Sequence, residues 1–151
     1  GILKKAGVLF RWVIVGEGDE RYKLEEQIKK NGLQKEVLLV GMKENPYPYI
    51  LSADILLQTS RFEGKSVVLD EAKILKKPVI ITNYNSAHDQ IENEVDGLIV
   101  EMNPSSIAKG IEKCISDINL LHTMRDNIQP DVTLENVDGY MQKLTEGAEN
   151  E

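Results

Sequence analysis

Cysteine is nearly missing from this sequence. Cys114 stands alone, which excludes a disulfide within the chain and fits a reducing cytosol. Histidine is scarce too. No Cys/His/Asp grouping has metal-ligand spacing, so no metal is expected. Neither His88 nor His122 has a credible nucleophile nearby in sequence, which leaves a Ser-His-Asp hydrolase unsupported. Positive charge is outnumbered, 18 basic residues against 25 acidic ones for a formal net charge of -7. A general nucleic-acid binder wants a basic face, so no nucleic-acid partner is expected. No apolar run approaches the roughly 20 residues of a membrane span, and no signal peptide opens the chain. A cytoplasmic location is the resulting expectation. There is no internal repeat and no low-complexity tract. The chain starts at Gly1 without a methionine, and its first residues read as the end of a helix, so part of a longer protein is expected.

What is present is enough for a domain. The 151 residues, 41% of them apolar, suit one unit with a sizeable core. Short apolar runs alternate with helical stretches, the pattern of a parallel α/β sheet. Phe10 to Val15, Val37 to Val40, Asp54 to Leu57, Pro78 to Ile81 and Leu98 to Val100 read as strands. Asp19 can cap a helix that carries Leu24 and Ile28 on one face and stops at Asn31-Gly32. Pro46 to Ser52, Ser66 to Leu75 and His88 to Glu92 read as further helices. So does Pro104 to Ser116, with Ile107, Ile111 and Ile115 as its core face. A second piece runs through Leu120 and Met124 until Pro130 breaks it, and Leu134 to Leu144 reads as one more helix. The division expected is a domain over residues 1–130 and a helix with tail over 131–151.

Ligands of open α/β sheets bind outside the carboxyl ends of the strands. The informative loop there is Ser60-Arg61-Phe62-Glu63-Gly64-Lys65-Ser66, running into Val67-Val68-Leu69-Asp70-Glu71-Ala72. The first N–H groups of a helix lack intrahelical partners and, with the helix dipole, favour a phosphate. Ser66 is a good N-cap type, and Gly64 leaves room for an anion. Glu63 and Glu71 beside such a site would be unfavourable unless aimed at hydrogen-bond donors, and sugar hydroxyls are donors. Phosphate plus polyol describes a nucleotide sugar.

Glu63 and Glu71, with seven residues between them, resemble the E-x7-E motif of retaining GT-B glycosyltransferases of the group 1 (family 4) kind. The flanking words agree: Asn45-Pro46-Tyr47-Pro48-Tyr49-Ile50, Ala53-Asp54, Glu71-Ala72-Lys73, Lys77-Pro78-Val79-Ile80 and Asp96-Gly97-Leu98-Ile99-Val100. The resemblance covers about Phe10 to Ile115. It implies a Rossmann-like parallel sheet with helices on both faces, the carboxy-terminal, donor-binding half of a GT-B fold. It also implies roles. Glu71 would hold the ribose hydroxyls and Glu63, the catalytic candidate, would stand near the transferred sugar. Backbone amides of Gly64, Lys65, Ser66 and Val67 would meet the diphosphate and sugar. Gly16 and Gly18 would let the nucleotide lie over the sheet, and the backbone at Val40 and Met42 would read the base. Arg61 is either a solvated loop residue or a phosphate contact. Lys65 departs from the aromatic residue commonest after that glycine, and either adds charge against the diphosphate or is solvated.

The resemblance also implies absences. Intact members carry a strand and a Gly-Arg…Lys-Gly loop upstream of this chain's first residue, and an amino-terminal acceptor domain. The missing strand would be central, between Phe10 to Val15 and Asp54 to Leu57. Those two strands then either pair directly, take a strand from another chain, or leave the domain marginal. Without its acceptor domain the chain alone is expected to be inactive. The partners expected are a UDP- or GDP-sugar donor and that acceptor domain, with peripheral membrane association of the intact enzyme and no cofactor. The rival readings are a non-catalytic nucleotide-sugar-binding module, half of a split enzyme, and a nucleotide-sugar epimerase.

Overall fold

The structure is a computed structural model, and it describes residues 1–129 together with Gly139 and Gln142. The expected helix from Leu134 to Leu144 otherwise lies outside the described residues. The elements in order are α1 (Ile2–Lys5), β1 (Trp12–Val15), α2 (Arg21–Lys30), β2 (Val37–Gly41), α3 (Tyr47–Ser52) and β3 (Leu56–Gln58). They continue with α4 (Val67–Ile74), β4 (Val79–Thr82), α5 (Ala87–Gln90), β5 (Gly97–Val100), α6 (Pro104–Ser116) and α7 (Ile118–Asn127). All strand pairs are parallel.

β4 shows why the sheet has helices on both sides. All four of its residues are buried, and side chains alternate between faces along a strand. Val79 and Ile81 join Leu69 and Ala72 of α4 and Ala87 of α5 in one apolar cluster. Ile80 turns the other way, to Leu98 and Val100 of β5, Cys114 of α6 and Met124 of α7. Gly110 lets α6 come down onto β5, because a Cβ there would lie 2.6 Å from Val100 Cγ1. The expected apolar face of α6 is met only in part. Ile107 and Ile111 pack against the core, whereas Ile115 is exposed and Cys114 takes the fully buried position.

The ladders form two sheets, β1-β2 and β3-β4-β5. The break falls between β1 and β3, the two strands that the sequence reading set on either side of an absent one. Among the described residues they do not pair, so of the three alternatives direct pairing is the one not realised. β1 alternates half-buried with exposed residues, with Val13 and Val15 on the exposed side. α1 ties the amino terminus to the β2 side. Its Lys4 Nζ donates to the Gly32 carbonyl at 2.6 Å and pairs with Glu36 at 2.7 Å, which holds the Glu36 carboxyl below its ordinary value. α1 also packs against α6.

Two local expectations are corrected. Asp19 does not cap α2; Glu20 holds that position without a side-chain cap bond. β3 begins two residues later than the apolar pattern suggests, because its register is set by pairing Leu56, Leu57 and Gln58 with Val79, Ile80 and Ile81.

Candidate functional site

The strand ends carry two clusters of the residues singled out from sequence. The first belongs to the β1–β2 sheet. Gly16 has φ +133°, a conformation that L side chains rarely adopt, and its N–H donates to the Gly41 carbonyl at 2.8 Å. Gly18 has no such requirement, and a Cβ there would meet nothing within 4 Å. The register of β2 against β1 slips between Leu39 and Gly41, so Val40 is left without a partner on β1. Such bulges release backbone groups from a ladder, here at the position proposed for reading a base. Met42 follows, exposed. An open hollow of about 240 Å³ is lined by Ile14, Leu24 and Leu39 together with the Gly16 to Gly18 loop and Arg21. Arg21 is latched across its rim to Glu25 at 2.9 Å, to Glu17, and to the Leu39 carbonyl at 3.4 Å.

The second cluster belongs to the β3–α4 turn. Glu63 and Glu71 each have one carboxylate oxygen pinned by a hydroxyl. The Ser60 Oγ donates to Glu63 Oε1 at 2.7 Å, and the Ser60 carbonyl accepts from Thr82 Oγ1 at 2.5 Å. The phenol of Tyr47, buried on α3, donates to Glu71 Oε1 at 2.9 Å. Both glutamates are half-buried. A cleft of about 240 Å³ opens on Phe62, Glu63, Gly64 and Asn85. Arg61 is exposed, and Lys65 lies 3.6 Å from Asp70 on α4. The two clusters are held together internally by these bonds and open as separate hollows.

Ser66 departs from expectation. It occupies the N-cap position of α4 but makes no side-chain cap bond. Its hydroxyl is turned to the Gln58 amide at the end of β3, at 3.0 and 3.2 Å, and its N–H donates to Gln90 Oε1 at 2.8 Å. A short hydroxyl can serve the helix or a tertiary partner, and here the buried Ser66 hydroxyl takes the tertiary one. Sequence reading assigned no role to Tyr47, Gln58, Ser60, Ser86 or Gln90; Tyr47 and Ser60 sat within quoted words, and the partners of Tyr47, Ser86 and Gln90 lie more than twenty residues away. Nearby Tyr84 is buried; burial pushes its phenol up, the Glu63 charge adds to this, and Gln90 opposes it. Among the described residues no group of three or more His, Cys, Asp or Glu could hold a metal ion, and no helix is long and apolar enough to cross a membrane.

Residues 2–130 match the family described as glycosyl transferases, group 1. The chain belongs to that family. Among its relatives is an N-acetylgalactosamine-N,N'-diacetylbacillosaminyl-diphospho-undecaprenol 4-alpha-N-acetylgalactosaminyltransferase of Campylobacter jejuni, 34% identical over 110 residues. That alignment covers 72% of this chain and 30% of the relative, so the match spans under a third of that relative's length. The Anabaena protein HepE, solved in complex with UDP-glucose, matches over 93% of this chain and 41% of its own, with a TM-score of 0.74 at 25% identity. The C-terminal domain of the Francisella tularensis group 1 protein LpcC matches over 83% of this chain and 68% of its own, with a TM-score of 0.72 at 28% identity. The group 1 assignment accounts for the α/β, Rossmann-like architecture with helices on both sides of parallel strands.

Proposed function

We propose that this chain is the donor-binding part of a glycosyltransferase that moves a sugar, with retention, from a UDP- or GDP-sugar to a glycan or lipid-linked acceptor. One observation carries the reading. The two glutamates of one strand–turn–helix segment are each oriented by a hydroxyl on one oxygen, beside a glycine loop at a helix start. Glu71 takes the ribose hydroxyls and Glu63 stands by the transferred sugar. Gly64, Lys65 and Val67 offer amides to the diphosphate; Arg61 stands on the same loop. Gly16 and Gly18 give the nucleotide its path, and the backbone at Val40 and Met42 reads the base. The diphosphate leaves as negative charge develops, so preorganised donors lower the barrier without a metal. HepE's complex with UDP-glucose supports a nucleotide-sugar donor, and the Campylobacter relative's diphospho-undecaprenol acceptor supports a lipid-linked one. Catalysis then takes an acceptor-binding domain as partner, at the cytoplasmic face of a membrane, and the 151-residue chain alone turns nothing over.

Titration calorimetry with UDP, GDP and their sugars tests this. Saturable binding of one of these donors, weakened by Glu71→Ala, is the expected result. A chain that binds no nucleoside diphosphate contradicts the proposal.

A further inference from the structure

Four side-chain contacts from α5 and its N-cap residue converge on the loop before α4, and all come from Ser86 and Gln90. The Ser86 hydroxyl lies 2.8 Å from the Glu63 carbonyl and 3.0 Å from the Gly64 carbonyl, sharing its proton between them. The Gln90 amide nitrogen donates to the same Gly64 carbonyl at 3.0 Å, and its oxygen accepts the Ser66 N–H at 2.8 Å. The orientation of that amide is self-consistent, with oxygen facing a donor and nitrogen facing acceptors. Gln90 is itself anchored. Its own carbonyl accepts from Lys73 Nζ of α4 at 2.5 Å, and Lys73 pairs with Asp96 at 3.4 Å.

The consequence follows from peptide geometry. In a trans peptide the C=O of one residue and the N–H of the next point in opposite directions. With the Glu63 and Gly64 carbonyls both drawn to α5, the N–H groups of Gly64 and Lys65 are both turned away from it. Two consecutive donors aimed one way make a concavity for an anion. The Ser66 N–H points instead to Gln90.

We propose that Ser86 and Gln90 are positioning residues for the donor's diphosphate, holding the Gly64 and Lys65 amides outward while withdrawing the Ser66 amide. The inference rests on the donor-site reading above and assigns the outward amides to the terminal phosphate, because Glu63 in the same loop serves the sugar attached there. Neither residue touches the ligand, so their loss acts only through the loop.

The test is calorimetry of the 151-residue chain with UMP and UDP, for the wild type, Gln90→Met, Ser86→Ala and Ser86→Thr. Gln90→Met keeps the side-chain length and removes both bonds. The wild type is expected to bind UDP more tightly than UMP. Gln90→Met weakens UDP by about tenfold, the size of a charge-assisted hydrogen bond, with UMP within about twofold of wild type. Ser86→Ala shifts the ratio the same way, and Ser86→Thr, which keeps the hydroxyl, restores it. Thermal melts establish which variants fold, and Ser86→Ala carries the test if Gln90→Met does not. Equal weakening of UMP and UDP, or none, overturns the positioning role. A wild type that binds UMP and UDP equally leaves the donor site standing but removes this role. Where the wild type binds neither, the same variants are read with GMP and GDP, and a wild type that binds none of the four overturns both.

Discussion

Removing one oxygen atom from Tyr47 separates the orientation of Glu71 from the packing around it. Tyr47 is 3% exposed, and its phenol donates to Glu71 Oε1 at 2.9 Å. Tyr47→Phe keeps the ring and its buried apolar area and removes the hydrogen bond to Glu71. Bonds to charged groups contribute about 1.5–3 kcal/mol when sealed from water. Glu71 is half-buried, so water replaces part of the contact and the loss falls to about 1 kcal/mol. For a domain of this size that lowers Tm by roughly 2–4 °C. Binding suffers separately. A carboxylate no longer held on one oxygen loses rotamer freedom when ligand arrives, costing about 0.5–1 kcal/mol, or roughly two- to fivefold in Kd. Differential scanning fluorimetry reads the first effect. Calorimetry with UDP and with a UDP analogue lacking both ribose hydroxyls reads the second. The analogue should bind wild type and Tyr47→Phe equally, since Glu71 has nothing on it to hold. Equal weakening of UDP and the analogue would refute the assignment of Glu71 to the ribose. An unchanged Tm would refute the bond itself.

Three further outcomes are expected. Glu71→Ala weakens UDP or GDP binding by about 1.5–3 kcal/mol, whereas Glu63→Ala spares the bare nucleotide and weakens the sugar-bearing donor; calorimetry with matched pairs of ligands reads both. Gly110→Ala gains about 1 kcal/mol of helix propensity but sets a Cβ 2.6 Å from Val100 Cγ1 and 3.1 Å from Leu98 Cδ2, and overpacking of about 1–3 kcal/mol outweighs the gain, so urea denaturation should show a net loss. A more stable variant would mean that α6 can lift from β5 without strain. Burial raises the Cys114 thiol from its ordinary 9.0 to about 11. Between those values the unfolded chain binds fewer protons than the folded one, so stability is intact below about pH 9 and falls as the pH rises toward 11, by at most about 1.4 kcal/mol per unit. Cys114→Ala should flatten that decline in urea midpoints measured across the window.

The alternation of apolar runs with helical periodicity was enough to place every described strand and the longer helices from sequence, because hydrophobic patterning is a local property. The pair Glu63 and Glu71, the glycine at position 16 and the helix start at Val67 were legible for the same reason: spacing along one chain segment. Three things needed the tertiary structure. β3 starts at Leu56 and not Asp54 because its ladder to β4, and not its own composition, sets its register. Ser66 gives up capping because Gln58, eight residues earlier, offers a side-chain partner that no local rule contains. And Tyr47, Ser86 and Gln90 reach the site from α3 and α5 across separations of more than twenty residues. The sequence by itself determined the family and which residues stand at the strand ends, since both depend on residue type and spacing. Only the tertiary structure decided how those residues are aimed, since a hydrogen-bond partner is chosen by proximity in space.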